Sequence, residues 1–206
     1  MSTTIVIIDY GMGNLNSIRN KLKNYDVEVL TSADAEIIKN ADKVILPGVG
    51  SFKKAMENIV HLNLVEGLND FALAQKKPIL GICLGMQLMT NKSEEGFAEG
   101  LGWVDAEVVR FKVKDTLKYK VPHMGWNSIN IAKNSKLMKD IPPKSEFYFV
   151  HSYHVKTNQS SIVLNETEYE YPFISSIEQD NIYGVQYHPE KSHEIGDILF
   201  NNFIDL

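Results

Sequence analysis

The sequence predicts an α/β fold: an open, mostly parallel central sheet with helices on both faces and further antiparallel strands added to it. Two observations predict it. Residues 4–83 alternate β-branched runs with stretches whose apolar residues recur at three- and four-residue steps. Residues 104–187 instead string together strand-like runs joined by short polar or proline-containing turns. The β-branched run over 4–9 reads as a strand buried on both faces. After Gly11 and Gly13, the residues Leu15, Ile18, Leu22 and Tyr25 give a helix with one apolar stripe. Residues 27–30 form the next strand, 34–40 a short helix, and 43–46 a strand that ends at Pro47, Gly48, Val49 and Gly50. Residues 51–60 and 64–75 read as helical, and Pro78 opens the strand that leads to Cys83. Further strands are expected over 104–111, 128–131, 147–153, 161–167, 173–178 and 182–187, with a closing helix from about 193 to 203. No repeat, low-complexity tract or linker divides the chain, so one domain over 1–206 is expected.

Bulk properties narrow the function. With 206 residues, 44% hydrophobic and 23% charged, the chain can bury a full core without covalent staples. No stretch approaches the ~18 apolar residues of a membrane span, and the first residues carry no basic region followed by an apolar one, so a cytoplasmic protein is expected. A net charge of −5 argues against a general nucleic-acid binder. The lysine-rich residues 111–120 are read as a solvated hairpin rather than a docking or anion-binding patch. Cys83 is the only cysteine, which excludes an internal disulfide. No spacing of His, Cys, Asp and Glu suggests a zinc site, and neither a metal nor a cofactor is expected. Gly11, Met12 and Gly13 after the first strand resemble the start of a dinucleotide fingerprint, but Asn16 stands where its third glycine belongs.

A lone cysteine at a strand end is by itself as well explained by burial as by reactivity. Its neighbours favour reactivity. Gly81 and Gly85 flank it two residues away on either side, as a tight turn from strand to helix requires, and a helix amino terminus behind the thiol favours the thiolate. A base must then come from six histidines. His61 lies between helices, His123 precedes a glycine turn, His151 and His154 have outward options, and His193 starts a helix. His188 differs: Pro189 halts its strand, and in an extended backbone Glu190 projects to the same side as His188 and can fix its ring. Cys83, His188 and Glu190 are thus read as nucleophile, base and orienter. The Leu84 amide and the Gly48, Val49 and Gly50 loop are read as backbone donors to an oxyanion.

These three motifs, in this order, resemble those of the class I (triad) glutamine amidotransferases. Within that class the stretches 121–127, 147–153 and 188–192 are similar to the glutaminase subunits of imidazole glycerol phosphate synthases, and the resemblance spans residues 5–203. It implies a flavodoxin-like sheet and L-glutamine as substrate, hydrolysed through a γ-glutamyl thioester on Cys83. It also implies that Gln87 contacts the glutamine and that His151, Ser152 and Tyr153 hold its amino-acid end through backbone groups. The ammonia would pass to a (β/α)8-barrel synthase subunit, with Asn14, Trp126, Tyr148 and Lys191 at the interface. The 47–50 loop would rest with its donors misaligned until that partner is loaded. Three alternatives stay open: a paralogous subunit whose ammonia amidates a surface-polysaccharide sugar, a stand-alone thiol hydrolase, and a nucleotide-binding module.

Overall fold

A computed structural model describes residues 2–206. The first half runs β1 (Thr3–Ile8), α1 (Leu15–Leu22), β2 (Val27–Ser32), α2 (Ala35–Asn40), β3 (Lys43–Leu46), α3 (Phe52–His61), α4 (Leu64–Asn69), β4 (Ile79–Ile82) and α5 (Leu84–Leu88). The second half adds β5 (Lys92–Ser93), β6 (Ala98–Glu99), β7 (Glu107–Arg110), β8 (His123–Ser128), β9 (Asn130–Ile131), β10 (Glu146–His151) and β11 (Tyr153–Lys156). It ends with β12 (Val163–Tyr169), β13 (Tyr171–Gln179), β14 (Ile182–Val185) and α6 (His193–Ile204). Among the described residues no helix is long and apolar enough to cross a membrane.

The main sheet is ordered β2-β1-β3-β4-β14-β13-β11-β7-β5-β6. Its first five strands pair in parallel, and β13, β11 and β7 continue antiparallel. The β-branched residues of β1 explain why the parallel half is buried on both sides. Val6 and Ile8 face one core with Ile38 of α2, Phe52 and Ile59 of α3 and Leu64 and Leu68 of α4. Ile5 and Ile7 face the other with Ile18 and Leu22 of α1 and Leu199, Phe200 and Phe203 of α6. The neighbouring strands β3, β4 and β14 therefore end side by side, which brings the 47–50 loop, Cys83 and His188 to one edge.

Several elements differ from expectation for identifiable reasons. The 147–153 run is two strands, broken at Ser152: β11 joins the main sheet, whereas β10 turns away and pairs with β8 in a separate ribbon, His151 opposite His123. The expected 128–131 strand is divided between the end of β8 and the short β9, which pairs with β12. The stretch 64–75 is helical only to Asn69 and then widens into a π-helical turn, Asp70–Ala74. The lysine-rich 111–120 stretch is an irregular loop rather than a hairpin. Most of its paired backbone donors go to side chains, among them Lys114 and Asp115 N–H to the Glu170 carboxylate at 2.7 and 2.8 Å and Lys120 N–H to the Tyr169 hydroxyl at 2.8 Å, and no ladder forms.

Candidate active site

Cys83 occupies the single residue between β4 and α5, with φ 54° and ψ −107°. A non-glycine residue at positive φ is strained, and it persists because its surroundings overdetermine it. Cys83 N–H donates to the Val185 carbonyl at 2.8 Å, extending the β4–β14 pairing. On either side, glycine is required by proximity. A Cβ on Gly81 would stand 2.7 Å from the Gly85 carbonyl carbon, and one on Gly85 would collide with the Leu46 carbonyl. The turn thus folds α5 back on its own strand and against β3, leaving the thiol 6% exposed at the floor of a cleft.

His188 lies just beyond β14, its N–H donating to the Tyr148 carbonyl at 2.8 Å and its carbonyl accepting from Ser192 Oγ at 2.6 Å. Its Nδ1 is 2.7 Å from Glu190 Oε1. The reach differs from the expected extended backbone: residues Pro189–Lys191 form one 3-10 turn, which brings the carboxylate back to the ring. With Nδ1–H given to Glu190, Nε2 is the nitrogen left for chemistry, and it is buried without a hydrogen-bond partner. Burial alone would lower the proton affinity of His188, but the charge on the Cys83 sulfur and then Glu190 reverse this and hold it well above the ordinary histidine range.

The expected oxyanion donors are not free in this conformation. Leu84 N–H donates to the Gly48 carbonyl at 3.3 Å, so that carbonyl stands where an oxyanion would accept. The loop is packed tightly there. A Cβ on Gly48 would collide with the Tyr10 hydroxyl and lie 2.9 Å from Leu84 Cβ, while Gly50 has φ +107°. Tyr10 donates to the Pro47 carbonyl at 2.6 Å, and burial, then the Cys83 charge, keep it protonated.

A cavity of about 280 Å³ opens over the thiol, lined by Cys83, Leu84, Gln87, Gly50, Glu95 and the corner His151, Ser152 and Tyr153 among others. Gln87 uses both protons of its amide, one to the Tyr153 carbonyl at 3.1 Å and one to Gln186 Oε1 at 2.9 Å, and so offers the pocket its oxygen. His151 has no outward option. It is 6% exposed, with Nδ1 2.8 Å from the Tyr153 carbonyl and Nε2 3.1 Å from Nδ1 of the equally buried His123. His154 is likewise buried, so the pattern of outward histidines expected on this corner is reversed. Among the described residues no group of three or more His, Cys, Asp or Glu side chains is placed to hold a metal.

Three of the four expected interface residues adjoin one another beside the triad. Trp126 is 46% exposed, stacks on His193 at 5.0 Å and 7°, and meets Tyr148 edge-on at 6.0 Å. Lys191 Nζ lies 5.5 Å over the Tyr148 ring. Asn14 is exposed and caps α1, its Oδ1 accepting from Ser17 N–H at 3.3 Å.

The family model described as “Glutamine amidotransferase class-I” matches residues 6–206. The chain belongs to the class I glutamine amidotransferases. Among relatives of this amidotransferase is “Imidazole glycerol phosphate synthase subunit HisH 2” of Methanococcus maripaludis, 49% identical over 97% of this chain and 98% of the relative. The HisH 1 subunit of Campylobacter jejuni is 45% identical over 98% and 100% of the two chains. The HisH 2 subunit of Pseudomonas aeruginosa is 42% identical over 98% and 99%. Of solved structures, PurLQS from Thermotoga maritima superposes with a TM-score of 0.74 at 16% identity, covering 100% of this chain and 99% of that one, which establishes the shared fold.

Two residues, one lining the amidotransferase pocket and one beneath the nucleophile, are given no role by the sequence reading. Glu95 brings a carboxylate to the lining, with Oε2 accepting Phe52 N–H at 2.8 Å. Gln186, fully buried, touches both Gln87 and Cys83. Gln186 carried a readable signal in its place two residues before His188, whereas Glu95 lies in a polar stretch with no periodicity to mark it.

Proposed function

We propose that this amidotransferase is the glutaminase subunit of an imidazole glycerol phosphate synthase, acting in the cytoplasm as one domain over 1–206 and serving histidine biosynthesis. The convergence of Cys83, at positive φ, with the His188–Glu190 pair, whose imidazole interacts with the Cys83 sulfur on one side and Glu190 on the other, carries the reading. Cys83 as thiolate attacks the side-chain carbonyl carbon of L-glutamine, and the oxyanion is taken up by Leu84 N–H and a donor of the 48–50 loop. Collapse breaks the C–N bond while His188 passes its proton to the departing nitrogen, releasing ammonia and leaving the thioester. Neutral His188 then takes a proton from water, whose oxygen attacks the thioester, and glutamate leaves as the thiolate and imidazolium return. Glu95 is a carboxylate suited to the substrate's ammonium group, and the Ser152 corner offers backbone groups to its carboxylate.

The partner in this reading is a (β/α)8-barrel subunit that receives the ammonia, seated on the patch of Trp126, Tyr148 and Lys191. The Leu84–Gly48 bond supports a low resting activity, because the loop must move before its donors and Leu84 N–H converge. One observation favours a second destination for the ammonia. Methanococcus maripaludis has two numbered relatives, 49% and 42% identical to this chain, and a duplicated subunit is free to serve another barrel partner. A glutaminase assay with and without the barrel subunit and its nucleotide ligand tests the function. Activity should rise at least about 100-fold in the loaded complex and vanish in Cys83→Ser. Full turnover by the chain alone, or by Cys83→Ser, would refute it, and product formed only with a sugar-modifying partner would select the second destination.

A further inference from the structure

The nucleophile has a neighbour that the triad leaves without a role. Gln186, between β14 and His188, is fully buried, and its Nε2 lies 3.6 Å from Cys83 Sγ. The orientation of this amide is fixed by a backbone group two steps away. The Tyr153 carbonyl can only accept, so the group of Gln87 at 3.1 Å from it must be the NH2. The same NH2 is 2.9 Å from Gln186, which must therefore present its oxygen to Gln87 and its own NH2 to the sulfur. Rotating the Gln186 amide would set donor against donor on one side and an oxygen against sulfur on the other. Its backbone is tied as well, N–H donating to the Ser175 carbonyl at 2.9 Å.

We propose that Gln186 is a catalytic residue of this site, an amide donor locked by Gln87 that holds the Cys83 thiolate for attack. The inference rests on the reading of Cys83 as nucleophile. The surroundings of the sulfur give the donor its importance. The Val150 carbonyl, 4.0 Å from Sγ, can accept from a thiol but only repels a thiolate. Tyr10 also lies within electrostatic reach of the sulfur, but it is neutral and its hydroxyl hydrogen is already given to the Pro47 carbonyl. His188, backed by Glu190, supplies the positive charge but must surrender its proton to the leaving nitrogen. A neutral donor with no proton to lose keeps the sulfur in place through both halves of the reaction. The Tyr153 carbonyl at the base of this chain belongs to the corner that lines the pocket, so thiol and binding surface share one anchor.

Cys83 is the only cysteine, so its alkylation by iodoacetamide reports on the thiolate without substrate or partner. In Gln186→Met, which keeps the volume and removes the donor, the pH of half-maximal alkylation should rise by roughly half to one unit. In the loaded complex kcat for glutamine should fall about 10-fold with KM within about 2-fold, since the lost contact is to the nucleophile. A folded Gln186→Met whose alkylation profile overlays that of the wild type overturns the proposal. Should that variant fail to fold, Gln186→Glu decides: its carboxylate still accepts from Gln87 but turns an oxygen on the sulfur, so a larger upward shift is expected and an unshifted profile refutes the donor. A wild-type complex without glutaminase activity would sink the proposed function, whereas alkylation of the chain alone needs no glutamine and no partner and so tests the donor separately.

Discussion

The Leu46 carbonyl lies where a side chain on Gly85 would have to go, and that contact sets the geometry of the nucleophile turn. Because the obstructing atom is backbone on the central strand β3, no rotamer can relieve it. Gly85→Ala should push α5 off the sheet and cost about 3 kcal/mol or more, read as a lowered urea midpoint with accelerated loss of Cys83 protection. Retention of wild-type stability would mean that α5 can slide away from β3 freely. The same residues explain what the sequence could reveal at this scale. Gly81, Cys83 and Gly85 are neighbours in the chain, so the strained turn was legible; His188 and Glu190 were legible for the same reason, although a 3-10 turn rather than an extended strand joins them. The partners of Gln87, by contrast, are Tyr153 and Gln186, 66 and 99 residues away, and no local pattern encodes them.

At the scale of elements, α3 follows directly on the 47–50 loop, and the way it is capped matters to that loop. Ser51 occupies the N-cap position, yet its side chain makes no capping bond. Glu95 reaches across from a segment 43 residues on and accepts Phe52 N–H at 2.8 Å instead. A carboxylate there satisfies a terminal donor and complements the positive end of the helix. Glu95→Ala should therefore destabilise the protein by about 1 kcal/mol and Glu95→Gln by less than half as much, compared by urea denaturation. Equal losses in the two variants would show that the charge, not the hydrogen bond, is what α3 needs. The parallel strands were legible because burial on both faces demands continuous β-branched runs, as in β1. The β8–β10 ribbon was not: Pro122 stands just before its first strand and Gly125 within it, both weak strand formers, and its partner strand is set apart from β11 only by the break at Ser152.

For the molecule as a whole, a line of buried imidazoles ties that ribbon to the main sheet and makes stability depend on pH. Its direction is fixed by a carbonyl: His151 donates Nδ1–H to Tyr153 at 2.8 Å, so its Nε2 accepts from His123 Nδ1–H at 3.1 Å, and His123 Nε2 accepts from Asn127 at 3.3 Å. His154 donates from Nδ1 to the Val155 carbonyl and accepts at Nε2 from Tyr171. Phe111 packs against His151 and His154 at 5.2 and 4.7 Å between ring centres, excluding water. Every ring nitrogen is committed, and a further proton on His123 or His151 would put donor against donor. Burial accordingly lowers His123 to about 4, lowers His154, and together with His123 holds His151 well below the ordinary value. The unfolded chain protonates these histidines near 6.5, so below that pH it binds protons that the folded protein refuses, and stability falls with acidification. His188 has the opposite shift; it is charged in both states below about 6.5, so it adds nothing to this slope, and its contribution is lost only as pH rises through its elevated folded value. Unfolding free energy should therefore drop by at least about 2 kcal/mol per pH unit between pH 6 and 5, from a ceiling of about 1.4 per histidine. Urea titrations across that range check it, and His154→Gln, which removes one lowered histidine from the balance, should flatten the slope. A profile that stays level to pH 5 would mean that the ribbon parts from the sheet and admits protons without unfolding.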